Sequence, residues 1–373
     1  MKYYIIAGEA SGDLHGSNLM KELHKQDPEV NIRFWGGDLM QQAGGTLVKH
    51  YRDLAFMGFA EVVANLRTIL GNIKFCKEDI LTFKPDVIIF IDYPGFNMRI
   101  AKWAKELGIK THYYISPQIW AWKENRIKAI KRDVDHMYII LPFEKDFYEN
   151  KHQFAVEFVG HPLIDAIHNR KPTDVESFKK EHNLDDKPVI ALLPGSRKQE
   201  ILKLLSEMLS IVKDFPDYQF VIAGAPSQDY EFYKQFLKNN NVHFISNKTY
   251  DLLSIAYAAL VTSGTATLET ALFKVPEVVC YKGSWISYQI AKRIITLKFI
   301  SLVNLIMDRE VVKELIQGEC NRKNIKKELQ KILDPEHRKK VLADYDLLEQ
   351  KLGGEGASQK TAQRIIKHLN EGK

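Results

Sequence analysis

No stretch of the 373-residue sequence approaches the ~18 uninterrupted apolar residues that a membrane-spanning helix needs. Cysteine is scarce. Cys76, Cys280 and Cys320 are far apart and odd in number, which excludes a disulfide framework and a CxxC metal site and fits a reducing compartment. They read as ordinary core or surface thiols. The opening Met1–Gly8 has one lysine and only a short apolar run into glycine. A secretory leader needs a longer apolar stretch and a cleavage site, so a first buried strand and a cytoplasmic setting are expected. Neither a short-period repeat nor a low-complexity tract is present.

What is present is a soluble composition, 45% hydrophobic and 27% charged, at a length that suits two domains. The net charge of +6 is unevenly placed: residues 97–132 hold nine Lys/Arg against Glu106 and Glu124. Such a segment is either a phosphate-attracting face or a solvated helix surface.

Short apolar runs alternate with amphipathic segments, the pattern of parallel βα units. Strands are expected at Tyr3–Ala7, Val87–Ile91, Thr111–Ile115 and Tyr138–Leu141, with helices at Leu19–Gln26, Ile100–Leu107 and Phe143–Asn150. A second series follows at Val189–Leu193, Phe220–Ala223, His243–Ile245, Leu260–Thr262 and Glu277–Tyr281, and the chain from about Val311 reads as helical. The expected fold class is α/β, with two Rossmann-like parallel-sheet domains facing a cleft and a helical C-terminal segment. The boundaries drawn are 1–168, a linker at 169–187, 188–345, and a last helical segment 346–373 that either crosses back to the first domain or exchanges between subunits.

Ligands of such sheets lie beyond the carboxyl ends of the strands. Four loops sit there. Gly8-Glu9-Ala10-Ser11-Gly12-Asp13 leads into a helix whose N–H groups could meet a polar substrate, but it lacks GxGxxG spacing and equally suits a turn capped by Ser11 or Asp13. Asp92 ends a buried Ile/Phe run, where a carboxylate can take a proton from a hydroxyl; the alternative is a helix cap or a bond to the Pro94 turn. Leu193-Pro194-Gly195-Ser196-Arg197 joins a glycine turn, a hydroxyl and a guanidinium, which suits a diphosphate, although Arg197 could equally be a surface ion-pair partner. Ser263-Gly264-Thr265 forms a second anion-suited helix start. Glu269, a turn later, either holds two ribose hydroxyls or completes a capping box.

The blocks A-G-E-A-S-G-D (7–13), F-M-G-F-A-E-V-V (56–63), K-P-D-V-I-I-F-I-D-Y-P-G-F-N (84–97), Y-I-S-P-Q-I-W-A-W-K (114–123), L-P-F-E-K-D-F-Y (141–148), F-V-G-H-P (158–162), L-L-P-G-S-R (192–197), S-G-T-A-T-L-E (263–269) and S-L-V-N-L (301–305) run in order over most of the chain. In these the sequence closely resembles the lipid-A-disaccharide synthases, inverting glycosyltransferases of GT-B type. The resemblance implies transfer from UDP-2,3-diacylglucosamine to the 6-hydroxyl of 2,3-diacylglucosamine 1-phosphate, giving the β-1,6 disaccharide 1-phosphate and UDP. It implies Asp92 as base and Arg197, with Ser196 and the Ser263, Gly264 and Thr265 amides, on the leaving diphosphate. Glu269 would hold the ribose, Asn304 would lie near the donor, and Glu9, Ser11 and Gly12 would line the acceptor side. Gly95 stands where the family pattern has a second Asp, and Val303 where it has proline.

Acylated substrates require a soluble enzyme to meet a membrane surface. Phe56, Met57 and Phe59, Trp120 and Trp122 within the basic segment, and Trp285–Tyr288 are the candidate contacts, on the cytoplasmic face of the inner membrane. No cofactor is expected. The strings Asp133-Val134-Asp135 and Asp344-Tyr345-Asp346 lie before a strand and in a charged helix, and His15, His112 and His161 read as packing residues, so no metal is expected either. Homodimerisation stays open. The rival readings are another GT-B transferase using UDP-GlcNAc, a UDP-GlcNAc 2-epimerase, whose opening loop would carry G-T-R-P-E, and a nucleic-acid-binding module resting on the basic segment alone.

Overall fold

The computed structural model describes residues 1–54, 66–225, 227–237, 241–283 and 297–371. Phe56, Met57, Phe59 and the Trp285–Tyr288 stretch lie outside them. Two compact units account for the chain: residues 1–169 with 352–373, and residues 170–351.

The first unit is a seven-stranded parallel sheet in the order β3-β2-β1-β4-β5-β6-β7. Its strands are β1 (Lys2–Ala7), β2 (Asn31–Gly36), β3 (Thr46–His50), β4 (Val87–Ile91), β5 (Lys110–Tyr114), β6 (His136–Ile139) and β7 (Glu157–Phe158). β1 and β4 are buried along almost their whole length because helices cover both faces, which is why they read as unbroken apolar runs. One face buries Tyr4, Ile6, Ile88, Phe90 and Tyr113 against the helices Pro94–Glu106 and Ile127–Asp133. The helix Ala10–Gln26 packs beside the C-terminal helix Ala357–Glu371. Asp165 ties that C-terminal helix down by accepting the Gly356 and Ser358 amides at 2.7 and 2.9 Å.

The second unit is a six-stranded parallel sheet in the order β10-β9-β8-β11-β12-β13. It is built from β8 (Val189–Leu193), β9 (Gln219–Gly224), β10 (Val242–Ser246), β11 (Ala256–Thr262), β12 (Glu277–Tyr281) and β13 (Lys313–Ile316). Apolar side chains pack on both of its faces. Both parallel sheets anticipated from the alternation are therefore present.

Several elements differ from the sequence reading. β2 and β3 form where no strand is expected, because Arg33 and Lys49 interrupt their apolar pattern, although the Arg33 head leaves the sheet to bind Asp79 at 2.6 Å. The first helix begins at Ala10, well before Leu19. A π-helical turn, Asp146–Lys151, occupies most of the expected helix Phe143–Asn150. The chain beyond Val311 is not wholly helical, since Lys313–Ile316 pairs with β12 as an edge strand. Within 169–187 the helix Val175–Glu181 forms, and its Phe178 is buried in the second unit's core.

Candidate active site

In the first unit the chemistry gathers where β1, β4, β5 and β6 end. Asp92 and Tyr93 follow β4 with φ of 43° and 48°, two successive side-chain-bearing residues in the left-handed region. Each costs on the order of 1 kcal/mol and persists only where neighbours enforce it. Here they do. The Asp92 amide donates to the Tyr114 carbonyl at 3.2 Å, and its own carbonyl accepts from Asn97 Nδ2 at 2.7 Å and the Tyr113 hydroxyl at 2.5 Å. The Tyr93 ring lies over Gly8, where a Cβ would come within 2.3 Å of it, so only glycine fits. The backbone is anchored on three sides, while the carboxylate has the Tyr93 amide as its donor among the described residues.

Burial, and then the negative charge of Glu9, push the Asp92 carboxyl up to about 6. That value suits a general base at neutral pH. Glu9 is exposed and serves as the N-cap residue of the first helix without a side-chain cap bond. Ser11 is exposed and Gly12 buried, with Gly12 close-packed on Ala7. Asp13 does not cap its own helix. Its carboxylate instead accepts the amides of Gly37, Leu39 and Met40 at 2.7–3.1 Å and fixes the start of the helix Asp38–Ala43. At Gly95 a side chain would meet open space.

Beside this loop stands a residue the sequence reading passed over. Glu144 is fully buried and accepts from Trp120 Nε1 at 3.1 Å, the Leu141 and Ile140 amides at 3.0 and 3.3 Å, and the Ser116 hydroxyl. Burial raises it to about 7. It braces the loops after β5 and β6 and turns Trp120 inward onto Phe143. Trp122 is left 49% exposed under the cations of Lys123 and Arg126, at 4.2 and 5.8 Å from its ring. Its position inside L-P-F-E was the only signal for Glu144.

The second unit holds a cavity of about 230 Å³ at the ends of β8, β9 and β11. Leu193, Gly195 and Ser196 line it from one loop and Thr262 through Ala266 from the other, with Glu269, Glu200 and Thr249 completing the wall. Gly195 has φ of 101°, and a Cβ there would lie 3.0 Å from Glu200 Oε2 and 3.4 Å from Thr262, so the turn requires glycine twice over. Gly264 is the N-cap of the helix Thr265–Leu272, and it has no side chain with which to cap that end. The Thr262 hydroxyl is buried with no partner among the described residues, a cost that a bound polar ligand would remove.

Glu269 is not part of a capping box. It takes the Tyr250 hydroxyl at 2.8 Å and is raised by burial. Ser263 donates to the Ile300 carbonyl at 2.8 Å, leaving its backbone on the cavity wall. Arg197 is 78% exposed at the N-cap of the helix Lys198–Leu209 and pairs with Glu200 at 3.2 Å; it does not line the cavity. Asn304 does not line it either. That side chain is fully buried and gives Nδ2 to the Val312 carbonyl and Glu314 at 2.8 and 2.9 Å, while Oδ1 takes the Val311 and Val312 amides at 2.7 and 3.0 Å. All its bonding capacity is used internally, so any effect on a donor passes through the loop it holds. Asp135 is engaged by Lys105 and Thr111, and Asp133 by Arg132. His161 caps its own helix by accepting the Leu163 amide, and burial lowers His15 to about 4.

Residues 3–367 match the model of the family Lipid-A-disaccharide synthetase. The chain is 40% identical to the lipid-A-disaccharide synthase of Syntrophus aciditrophicus (strain SB), covering 96% of this chain and 95% of that one. It is 38% identical to the enzyme of the same name from Geobacter metallireducens, covering 98% and 97%. Among solved structures, a UDP-GlcNAc 2-epimerase from Neisseria meningitidis bound to UDP-GlcNAc superposes with a TM-score of 0.70 at 15% identity, covering 98% and 100%. A structure described as the glycotransferase of kitacinnamycin gives 0.67 at 13%, covering 99% and 98%. At such identities the likeness speaks for the two-sheet GT-B fold alone. The family match and the relatives, by contrast, extend over nearly the whole chain, and on them the chain belongs to the lipid-A-disaccharide synthase family.

Proposed function

We propose that this chain transfers the diacylglucosaminyl group of UDP-2,3-diacylglucosamine to the 6-hydroxyl of 2,3-diacylglucosamine 1-phosphate. Asp92 removes the hydroxyl proton as the oxygen attacks C1. The bond from C1 to the diphosphate oxygen breaks, UDP departs, and the configuration at C1 inverts. The observation that carries this reading is Asp92 itself, a carboxylate at a strand end, held by strained backbone and raised to about 6.

The cavity of the second unit suits the UDP part. The uncapped helix start at Gly264–Thr265 offers amides to phosphate, and Ser196 and the unpartnered Thr262 hydroxyl add donors. Glu269, already aligned by Tyr250, suits vicinal ribose hydroxyls. Arg197, free to swing from Glu200 at the surface, would meet the departing charge. Glu9, Ser11 and Gly12 stand on the acceptor side of Asp92. Trp122, with Lys123 and Arg126, supplies an aromatic and cationic contact for the cytoplasmic face of a membrane that presents the acylated substrates. No helix among the described residues is long and apolar enough to cross a membrane.

Incubating the purified protein in detergent with both lipid substrates tests the reading. Disaccharide 1-phosphate and UDP are expected in equal amounts, and Asp92→Asn should bind donor yet lose turnover by at least about a hundredfold. Absence of product, or conversion of UDP-GlcNAc to its C2 epimer instead, would overturn it.

A further inference from the structure

At the other end of the first unit's sheet, where β5 and β6 begin, lies a cavity of about 440 Å³ that the transfer reaction does not use. His112, His136 and His368 line it. His136 opens β6, Glu157 opens the edge strand β7, and His368 comes from the last turn of the C-terminal helix. One ligand atom from each of His136, Glu157 and His368 can be chosen so that all three lie within 4.8 Å of one another. We propose that these three residues form a binding site for a divalent transition-metal ion, Zn²⁺ in the first instance, that clamps the C-terminal helix to the sheet.

The arrangement goes beyond mere proximity. His368 Nε2 lies 2.6 Å from Glu157 Oε1, so an ion would part the two atoms to about 3.3 Å and replace one hydrogen bond with two coordinate bonds. The other nitrogen of His368 faces Glu371 Oε2 at 3.5 Å, the place from which a carboxylate orients a ligating imidazole. Arg364 holds the second oxygen of Glu157 at 3.2 Å, leaving Oε1 for the ion. The His136 and His368 rings stack 3.8 Å apart and 14° from parallel. Two nitrogens bound tetrahedrally to one zinc are about 3.4 Å apart with the ion in the plane of each ring, so binding requires one of the two stacked rings to turn out of the stack.

His112 adds a second sign of a missing partner. Its Nδ1 meets the Tyr138 hydroxyl at 3.0 Å, while its Nε2 is buried without a partner among the described residues. Its ring stands edge-on to His136 at 4.8 Å.

Charge near the site is balanced. Glu157, Glu371 and Asp135 face Lys105, Lys110 and Arg364, with Lys105 engaged by Asp135. Retention of an ion must therefore come from coordination and not from long-range attraction, which favours imidazole-seeking Zn²⁺ over Mg²⁺ or Ca²⁺. Three protein ligands leave one position for water.

The test uses the full chain stripped with EDTA and titrated with Zn²⁺ against a chromophoric chelator. One ion per chain is expected, with a rise in melting temperature because the ion binds only the folded form. His136→Gln and His368→Gln should each weaken binding at least about tenfold and abolish the thermal shift, whereas His24→Gln, outside the cluster, should change neither. Circular dichroism on the variants separates lost binding from lost folding, and Glu157→Gln, which keeps size and shape, should weaken binding while folding normally. Absence of stoichiometric uptake, or uptake unchanged in both histidine variants, would overturn the proposal. Transferase activity is not the readout, so failure here leaves the proposed reaction untouched.

Discussion

Asp92 holds its proton up to about pH 6 in the folded chain, against 3.8 for an ordinary aspartate. The stability this neutral form contributes is complete below 3.8 and is lost as pH rises through about 6. Asp92→Asn, which cannot ionise, should therefore raise unfolding free energy at pH 8 by roughly 1–3 kcal/mol and hardly change it at pH 4, as urea denaturation at both values would show. The same residue should set the acid limb of kcat/KM near pH 6. Glu9→Gln removes a negative charge that opposes ionisation of Asp92, so the limb should move to lower pH. The shift should be a fraction of a unit, because burial is the larger cause. Asp92 was legible in the sequence because a polar residue closing a buried strand stands out. Glu144 was not, because nothing in a glutamate's immediate neighbours reveals that two loops converge on it.

The S-L-V-N segment shows how a motif can act through an element. Ser301 caps the helix Leu302–Met307, Glu314 takes the Ile300 and Ser301 amides at 2.9 Å, and Asn304 joins Glu314 to the turn at Val311–Val312. Ser263 then donates to the Ile300 carbonyl, so the cavity wall inherits its position from this network. Asn304→Ala would leave two buried amides and a glutamate short of partners. It should cost about 2–4 kcal/mol of stability, read as a lower urea midpoint, and weaken donor binding only through the displaced loop. A direct donor contact would show as weakened binding in a variant of unchanged stability. The sequence marked Asn304 as a position of interest, but its partners lie up to ten residues away on β13, an edge strand hidden by its mixed Lys/Glu pattern.

At the scale of the whole chain, residues 352–373 complete the first unit. Ala357, Ala362, Ile365 and Leu369 are buried, and Asp165 spans to the start of their helix. A chain ending at Lys351 should expose that apolar face and leave Asp165 unpaired in the interior. Limited proteolysis should then cut within residues 1–169 at lower temperature than in the full chain, with fragments identified by mass spectrometry. The surface makes a separate demand. Trp122→Ala should reduce sedimentation with anionic vesicles and blunt its salt sensitivity, with melting temperature unchanged, since that ring is half exposed. Unaltered vesicle binding would remove Trp122 from the membrane contact.

The sequence by itself determined what depends on local pattern. Buried parallel strands announce themselves as apolar runs, their ends as glycine and acidic turns, and the ordered blocks as a family. Strand order, by contrast, depends on contacts between residues far apart in the chain. Only the tertiary structure could bring His136, Glu157 and His368 together, separated as they are by 21 and 211 positions. Only it could show that Asp13 caps a different helix, that Asn304 faces inward, and that Arg197 rests at the surface on Glu200. Composition and spacing carry the backbone's preferences, whereas a side chain's partner is decided by what packing leaves within hydrogen-bonding reach.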